Sequence, residues 1–499
     1  MFNWLLLWYG YIYYVASIFL IFISTGVFFK LFFKDIFFRT ALTSTFLKNL
    51  VSFFLFFAFL ALLSTYSLLD NYSYLSCIVL DEPSELIFLD HIVVNSVLNP
   101  YVLSFNYVTI YTLPFFYIFI LITLISILFC LAYNLTEIIS FFFYTTIILV
   151  AGYVLFFTES VILFFISYEM LLVPSFFVLY NFAKTRRCVE AAYLMFFWTQ
   201  FGAMFLIFSF LYLFFSCGAS TFSSLALVQL TPFEVNFCCF CWLIGFGVKL
   251  PIWPFYGWLP KAHVEASTNF SIFLSGVLVK FAFFGLLKAL LSISLDPTFV
   301  YAYPFLIIGI TDSVFKLFYQ IDLKKLVAYS TVVEMHWLTI CLLSGQGPLA
   351  LATFSMLISH ALLSTNSFLI VDAIGRRFKT RLSTEISGLN FLCPKLFLVS
   401  LVNLLIFLGF PGSIMFISEI LFFSFFFDLY PLLSLVLIVL LYLLGPTFFF
   451  RTWTNVLFGS SNFLDKKIPI DLQINELLLL TSLIVLMFWL GFTWQAFVF

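Results

Sequence analysis

The stretch "GFGVKLPIWPFYGWLPKAHVEAS", residues 245–267, sets Lys249, three prolines and His263 inside a chain that is otherwise mostly hydrocarbon. Pro251 lacks a backbone N–H and its ring clashes with the carbonyl four residues earlier, that of Gly247, so a helix should open over 247–251. The carbonyls freed by such an opening need water or polar side chains. Broken helices at mid-membrane are where transporters place their ion sites. Burial opposes the charge of a lysine placed there and a nearby carboxylate supports it, so Lys249 could load and release a proton when a partner moves.

The rest of the chain supplies the membrane. Of 499 residues, 64% are hydrophobic and 9% charged, and mean hydropathy is +1.17. A soluble domain needs about a quarter of its residues charged, so the bilayer is the solvent here. Net charge is −1, which gives no electrostatic footprint for nucleic acid. The 76 phenylalanines are read as codon bias of an AT-rich genome, such as an organelle's, and carry no mechanism. Nine cysteines are scattered, and the cluster Cys238, Cys239 and Cys241 reads as small apolar filler rather than a metal site. "GFG" at 245–247 lacks the third glycine of a dinucleotide fingerprint, and no Walker lysine motif appears. The N-terminal "MFNWLLLWYGYIYYVASIFLIF" has no basic n-region and reads as a retained first span.

Apolar runs of about 20 residues suffice to cross the hydrocarbon core as helices, and about fourteen are found. They lie near 4–29, 49–69, 110–132, 137–157, 160–182, 190–216, 233–260, 269–293, 300–319, 324–344, 348–372, 394–427, 431–450 and 474–497. Span seven is interrupted by Pro251 and Pro254, and span twelve, too long for one straight crossing, by Pro411-Gly412. Four units follow: 1–109, 110–293, 294–450 and 451–499. Basic residues fall in alternate loops, with Lys30, Lys34, Arg39 and Lys48 first, then Lys184, Arg186 and Arg187, Lys261, Lys324 and Lys325. Arg376, Arg377, Lys379 and Arg381 follow, then Arg451, Lys466 and Lys467. The other loops, such as 70–91, Asp296 and Asp428, are acidic or uncharged. The positive-inside rule then puts the basic face at the matrix or cytoplasm and both termini opposite. A wrong span count would scramble this alternation.

A few charges remain inside the spans: Glu169, Lys249, Lys280, Asp312, Glu334 and Glu419. Each costs about 2.5–3.5 kcal/mol at the bilayer centre on insertion scales, so six of both signs point to an internal polar pathway for ions or protons. Glu169, five residues before Pro174, is the natural partner of Lys249 by sign. His336 and His360 are candidates for the same path, although a membrane histidine is more often a helix–helix hydrogen bonder. Lys288 and Lys316 lie near helix ends, where they can snorkel, and Asp312 and Lys316 are spaced to pair with each other.

At this point the motifs carry a resemblance. "VKLPIWPFYGWLPKAHVEAS" (248–267) resembles the span-seven signature of the antiporter-like subunits of respiratory complex I, the proton-pumping NADH:ubiquinone oxidoreductase, and "KAHVEA" resembles the subunit 4 branch. "YEMLLVP" (168–174), "WTQFGA" (198–203), "VLVKFAFFGLLK" (277–288), "DLKKLVAYSTV" (322–332), "ISHALLS" (358–364) and "FPGSIMFISE" (410–419) are similar to further family segments in the same order. The resemblance covers roughly residues 110 to 450. It implies an all-α polytopic fold of about fourteen transmembrane helices, with two inverted five-helix repeats (spans 4–8 and 9–13) and broken helices 7 and 12. It implies that Glu169 and Lys249 form the charged pair of one half-channel, Lys280 a connecting lysine, Glu419 a terminal carboxylate, and His360 a member of the central hydrophilic axis. Three positions depart from the family pattern: Tyr256 for histidine, Ser267 for proline and Glu334 for histidine. The last leaves either Glu334, or His336 from a helix face about 200° away, to carry that step.

The expected function is proton translocation by a complex I membrane-arm subunit in the mitochondrial inner membrane, with termini on the intermembrane-space side. No cofactor is expected in this chain; FMN, iron–sulfur clusters and ubiquinone belong to partner subunits. Expected partners are antiporter-like subunits 2 and 5, accessory subunits and membrane lipid, cardiolipin included, with no nucleic acid. The competing expectations are a stand-alone or Mrp-type cation/proton antiporter subunit, and a structural subunit without its own channel.

Overall fold

The computed structural model describes residues 119–123, 125–126, 135–182, 185–228, 230–293, 301–344, 348–459 and 470–498. The first two expected spans, the 70–109 loop, most of the third span and the N-terminus lie outside the described residues.

Among the described residues the chain is helical, with two isolated β-bridges and no strand. The helices are α1 Leu135–Phe157, α2 Val161–Asn181, α3 Arg186–Cys217, α4 Pro232–Lys249, α5 Trp258–Glu265 and α6 Thr268–Leu291. They continue with α7 Tyr303–Phe318, α8 Leu323–Ser344, α9 Pro348–Phe378, α10 Pro394–Phe407, α11 Ile414–Leu429, α12 Pro431–Phe458 and α13 Ile474–Val498. Eight are long and apolar enough to cross a membrane in one piece.

Helix starts are set by side-chain oxygens that take the first unpaired N–H groups. Thr185 caps α3, Thr231 and Glu234 form a capping box on α4 with Pro232 in its first turn, and Ser413 caps α11. Ser267, at the position where the resembled pattern has proline, caps α6 by accepting the Phe270 N–H at 3.4 Å.

Both expected breaks are present. The first runs from Leu250 to Gly257, between α4 and α5. The carbonyls that proline would orphan are claimed locally: Ile252 N–H donates to Gly247 O at 2.8 Å and the Trp258 indole to Val248 O at 2.8 Å. The second separates α10 from α11 and turns at Gly409 and Gly412, both with positive φ. Lesser irregularities were not anticipated. Pro174 removes the partner of the Met170 carbonyl, and α2 is interrupted at Leu171, next to Glu169. Leu274–Leu278 is a π-helical turn within α6.

Burial separates centre from periphery. The most apolar stretches of α6, α8 and α9 are 89, 94 and 100% buried, against 33% for α3 and 28% for α12. Three central helices are thus wrapped by others whose outer faces carry phenylalanine, leucine and isoleucine, as a lipid-facing surface requires. Among the described residues, the loops near 185, 265, 322 and 381, expected to share a basic face, meet at one end. There Thr185 contacts Glu265, Arg381 donates to Val264 O and pairs with Asp322, and Lys324 donates to Ala266 O. Lys324 corrects its expectation as a loop charge. It lies in the first turn of α8, 2% exposed, because α5 and α6 close over it.

Candidate functional site

Of the ionisable side chains inside the spans, Lys280, Glu334 and His360 lie on the three central helices, and Glu169, Lys249, Asp312 and Glu419 on helices around them. On α2, Glu169 keeps 22% of its side chain exposed at the flank of the bundle, whereas Lys249, the last residue of α4, keeps 10%. Lys249 Nζ stands 4.0 Å from Glu169 Oε1. It donates to Tyr168 O at 2.9 Å and lies 3.4 Å from the centre of the Tyr168 ring. A cavity of about 30 Å³ opens beside it, with Ser175, Thr199 and Lys249 on one side and Leu274, Leu278 and Val279 of α6 on the other. That volume holds roughly two waters, and its three polar groups could bind them.

Lys280, next to Val279 on that helix, is fully buried. Its Nζ donates to Ser275 O in the π turn and meets His360 Nδ1 at 2.7 Å. A protonated lysine has only hydrogens to give, so Nδ1 accepts and the ring proton belongs on Nε2. Nε2 faces Glu334 Oε2 at 3.5 Å, and neither atom has a hydrogen-bond partner. Glu334 and Glu419 both line a second cavity of about 40 Å³, together with Ser330 and the Tyr442 side chain.

The structure therefore brings Glu169 and Lys249 together as one group and Lys280, His360 and Glu334 as another, with one small cavity beside Lys249 and a second shared by Glu334 and Glu419. His336 is not in this row. Its Nε2 accepts the Trp253 N–H at 2.8 Å and its Nδ1 bonds Val332 O at 2.8 Å, so both nitrogens are committed to backbone. Of the two candidates for the departed family histidine, Glu334 faces His360 and His336 faces the break. Asp312 and Lys316 pair at 2.8 Å, as their spacing predicts, and Tyr256 bridges them with its hydroxyl. Lys288 caps the end of α1 by donating to Phe156 O at 3.2 Å and to Thr158 O.

Three residues escaped the sequence reading. Gln200 Nε2 donates to Glu169 Oε2 at 2.9 Å. His263 is fully buried, stacked 4.8 Å from Phe368, with neither ring nitrogen bonded. It lies within electrostatic reach of both Lys324 and Lys280, between the basic end and the centre. A buried polar group without partners calls for an explanation, but "KAH" within a short helix gives no hint of burial. Lys324 was hidden by its place next to a loop.

Residues 158–445 match the family described as NADH:quinone oxidoreductase/Mrp antiporter, transmembrane. The chain is similar to NADH-ubiquinone oxidoreductase chain 4 of Paramecium tetraurelia, 34% identical over 302 residues, which are 60% of this chain and 63% of that one. It thus spans somewhat under two thirds of that relative. It is also 30% identical over 338 residues to NADH-ubiquinone oxidoreductase chain 4 of Marchantia polymorpha, covering 66% of this chain and 68% of that one. Its fold is similar to a chain of respiratory complex I from Thermus thermophilus, with TM-score 0.63 and 18% identity over 76% of this chain and 83% of that one.

Proposed function

This chain belongs to the NADH:quinone oxidoreductase/Mrp antiporter transmembrane family and stands in it with the chain 4 subunits; from that premise we propose that it translocates protons in the membrane arm of a respiratory complex. The observation that carries the reading is the pair Glu169–Lys249 beside the group Lys280, His360 and Glu334 on the three most deeply buried helices, with water-sized cavities next to Lys249 and between Glu334 and Glu419.

In this reading, electron transfer from NADH to ubiquinone takes place on FMN and iron–sulfur clusters in partner subunits, and this chain handles only protons. When Glu169 moves away from Lys249, the ammonium loses its counter-charge and gives a proton to water in the adjoining cavity. Lys280 gives its own proton to His360 Nδ1 as the imidazole releases its Nε2 proton to Glu334, and the neutral amine then takes up the proton from the cavity. From Glu334 the released proton crosses the second cavity to Glu419. His263 and Lys324 supply the connection from the basic end. Two inverted repeats within fourteen helices, a mitochondrial inner membrane and neighbours of the same antiporter-like class belong to this reading too.

Lys249→Met keeps the length and apolar packing of the side chain and removes its proton. It is expected to abolish NADH-driven pumping while the complex still assembles; normal pumping in that variant would refute the role. The same family description also covers Mrp antiporters. Sodium-dependent transport by the isolated chain, with no redox arm co-purifying, would favour that second reading.

A further inference from the structure

The Glu169–Lys249 pair is parted, and each member is engaged elsewhere. A charge-assisted hydrogen bond is about 2.7–2.9 Å long, whereas these atoms stand 4.0 Å apart. Lys249 Nζ instead has the Tyr168 carbonyl at 2.9 Å and the Tyr168 ring beneath it. Glu169 gives Oε2 to Gln200 Nε2 at 2.9 Å, while Oε1, the oxygen nearest the lysine, bonds nothing. Closing the pair takes a movement of little more than about 1 Å.

We propose that Gln200 is a positioning residue: it holds the Glu169 carboxylate at a parted station, opposite a matching station for Lys249 at Tyr168, and so makes the pair a two-position latch. The inference rests on the reading of Glu169 and Lys249 as the proton-handling pair. Three features support it. A carboxylate can only accept, so the amide nitrogen must face it. The amide is neutral and therefore competes with the ammonium without locking the carboxylate as an arginine would. The frame is also rigid. Two residues beyond Gln200, Gly202 on α3 packs against Gly245 on α4 so closely that a Cβ on Gly202 would lie 2.8 Å from Gly245 O. That contact fixes the donor on α3 relative to Lys249 at the end of α4. A latch needs two stations of similar free energy, and a shift between them needs only a modest difference in their bonds.

The test uses the assembled NADH-oxidising complex, with Glu169→Gln as the reference. If Glu169→Gln pumps normally, the pair has no role in pumping and the latch falls with it. If it stops pumping, Gln200 is tested separately. Gln200→Leu removes the competing donor. The carboxylate should then close to about 2.7–2.9 Å from Lys249 in the variant's structure, and pumping should slow about tenfold, in keeping with loss of one hydrogen bond to a charged group. Gln200→His, which keeps a neutral N–H donor, should return the rate to within about twofold of the parent, a rescue that a purely packing role would not give. Should Gln200→Leu fail to assemble, Gln200→Met decides: it has the length of glutamine but no donor, and it should also slow pumping. Wild-type pumping in Gln200→Leu with the 4.0 Å separation unchanged, or in an assembled Gln200→Met, overturns the proposal.

Discussion

Gly409 holds φ at +71°, and a Cβ there would lie 2.2 Å from Glu419 Oε2. The glycine therefore does two things: it turns the chain at the second break and leaves the notch in which the carboxylate sits. Alanine would cost roughly 1–2 kcal/mol for the left-handed backbone and would also push Glu419 out of its notch. Gly412 separates the two effects. It has φ +88°, but its missing Cβ would meet only the Phe492 ring, at 3.1 Å. Gly409→Ala should depress NADH-driven pumping far more than Gly412→Ala, although both carry backbone strain. Equal losses would show that the glycine serves the turn and not the carboxylate. In "FPGSIMFISE" the glutamate was legible as a candidate, but nothing in the sequence said that a glycine ten residues earlier shapes its pocket.

Among the elements, α6 departs from a regular helix next to the buried lysine. Its π turn, Leu274–Leu278, adds a residue to one turn, and the carbonyl of Ser275 receives the Lys280 ammonium. Deleting Gly276 should restore an ordinary α-helix and return the Ser275 carbonyl to the helical ladder, with Lys280 kept on nearly the same face because the wide turn had absorbed the extra residue. The variant is expected to lose the bond between Lys280 and Ser275 O and to pump more slowly, while α6 remains a full-length helix; a structure retaining that bond would contradict the assigned role of the turn. The two large breaks were readable because proline announces itself, at Pro251 and Pro254 and again at Pro411. The π turn has no such signature, since "LSGVL" is as compatible with an α-helix as with a wider one. Gln200 was missed for a related reason. Hydropathy shows which residues are inside a span, but the approach of α3 to α2 that brings an amide to a carboxylate is a property of packing.

At the scale of the molecule, polar seams at the basic end hold the outer helices to the centre. Glu476, near the start of α13, pairs with Arg376 at 3.2 Å and with Arg377, both at the end of α9. Asp471 accepts the Lys395 and Leu396 N–H groups at the start of α10. Hydrogen bonds to charged groups contribute about 1.5–3 kcal/mol each. Glu476→Ala combined with Asp471→Ala should therefore lower the temperature at which this subunit unfolds in detergent, with pumping unchanged below it; an unaltered unfolding temperature would show the seam to be dispensable. The alternation of basic loops made this end visible in advance, because charge is scarce enough in such a chain for its position to be informative. The burial of Lys324 could not be read that way, since a lysine beside a loop looks the same in sequence whether it is roofed over or free. One cross-brace remains. His336 is bonded to the backbone on both sides, to Trp253 in the break and to Val332 one turn back on α8, and Glu334 is two residues away on that helix. Any displacement of the kinked segment must either snap that tie or drag α8 along. The imidazole works as a connecting rod, turning a movement at the first proline kink into a tug on the carboxylate deep in the other half of the chain.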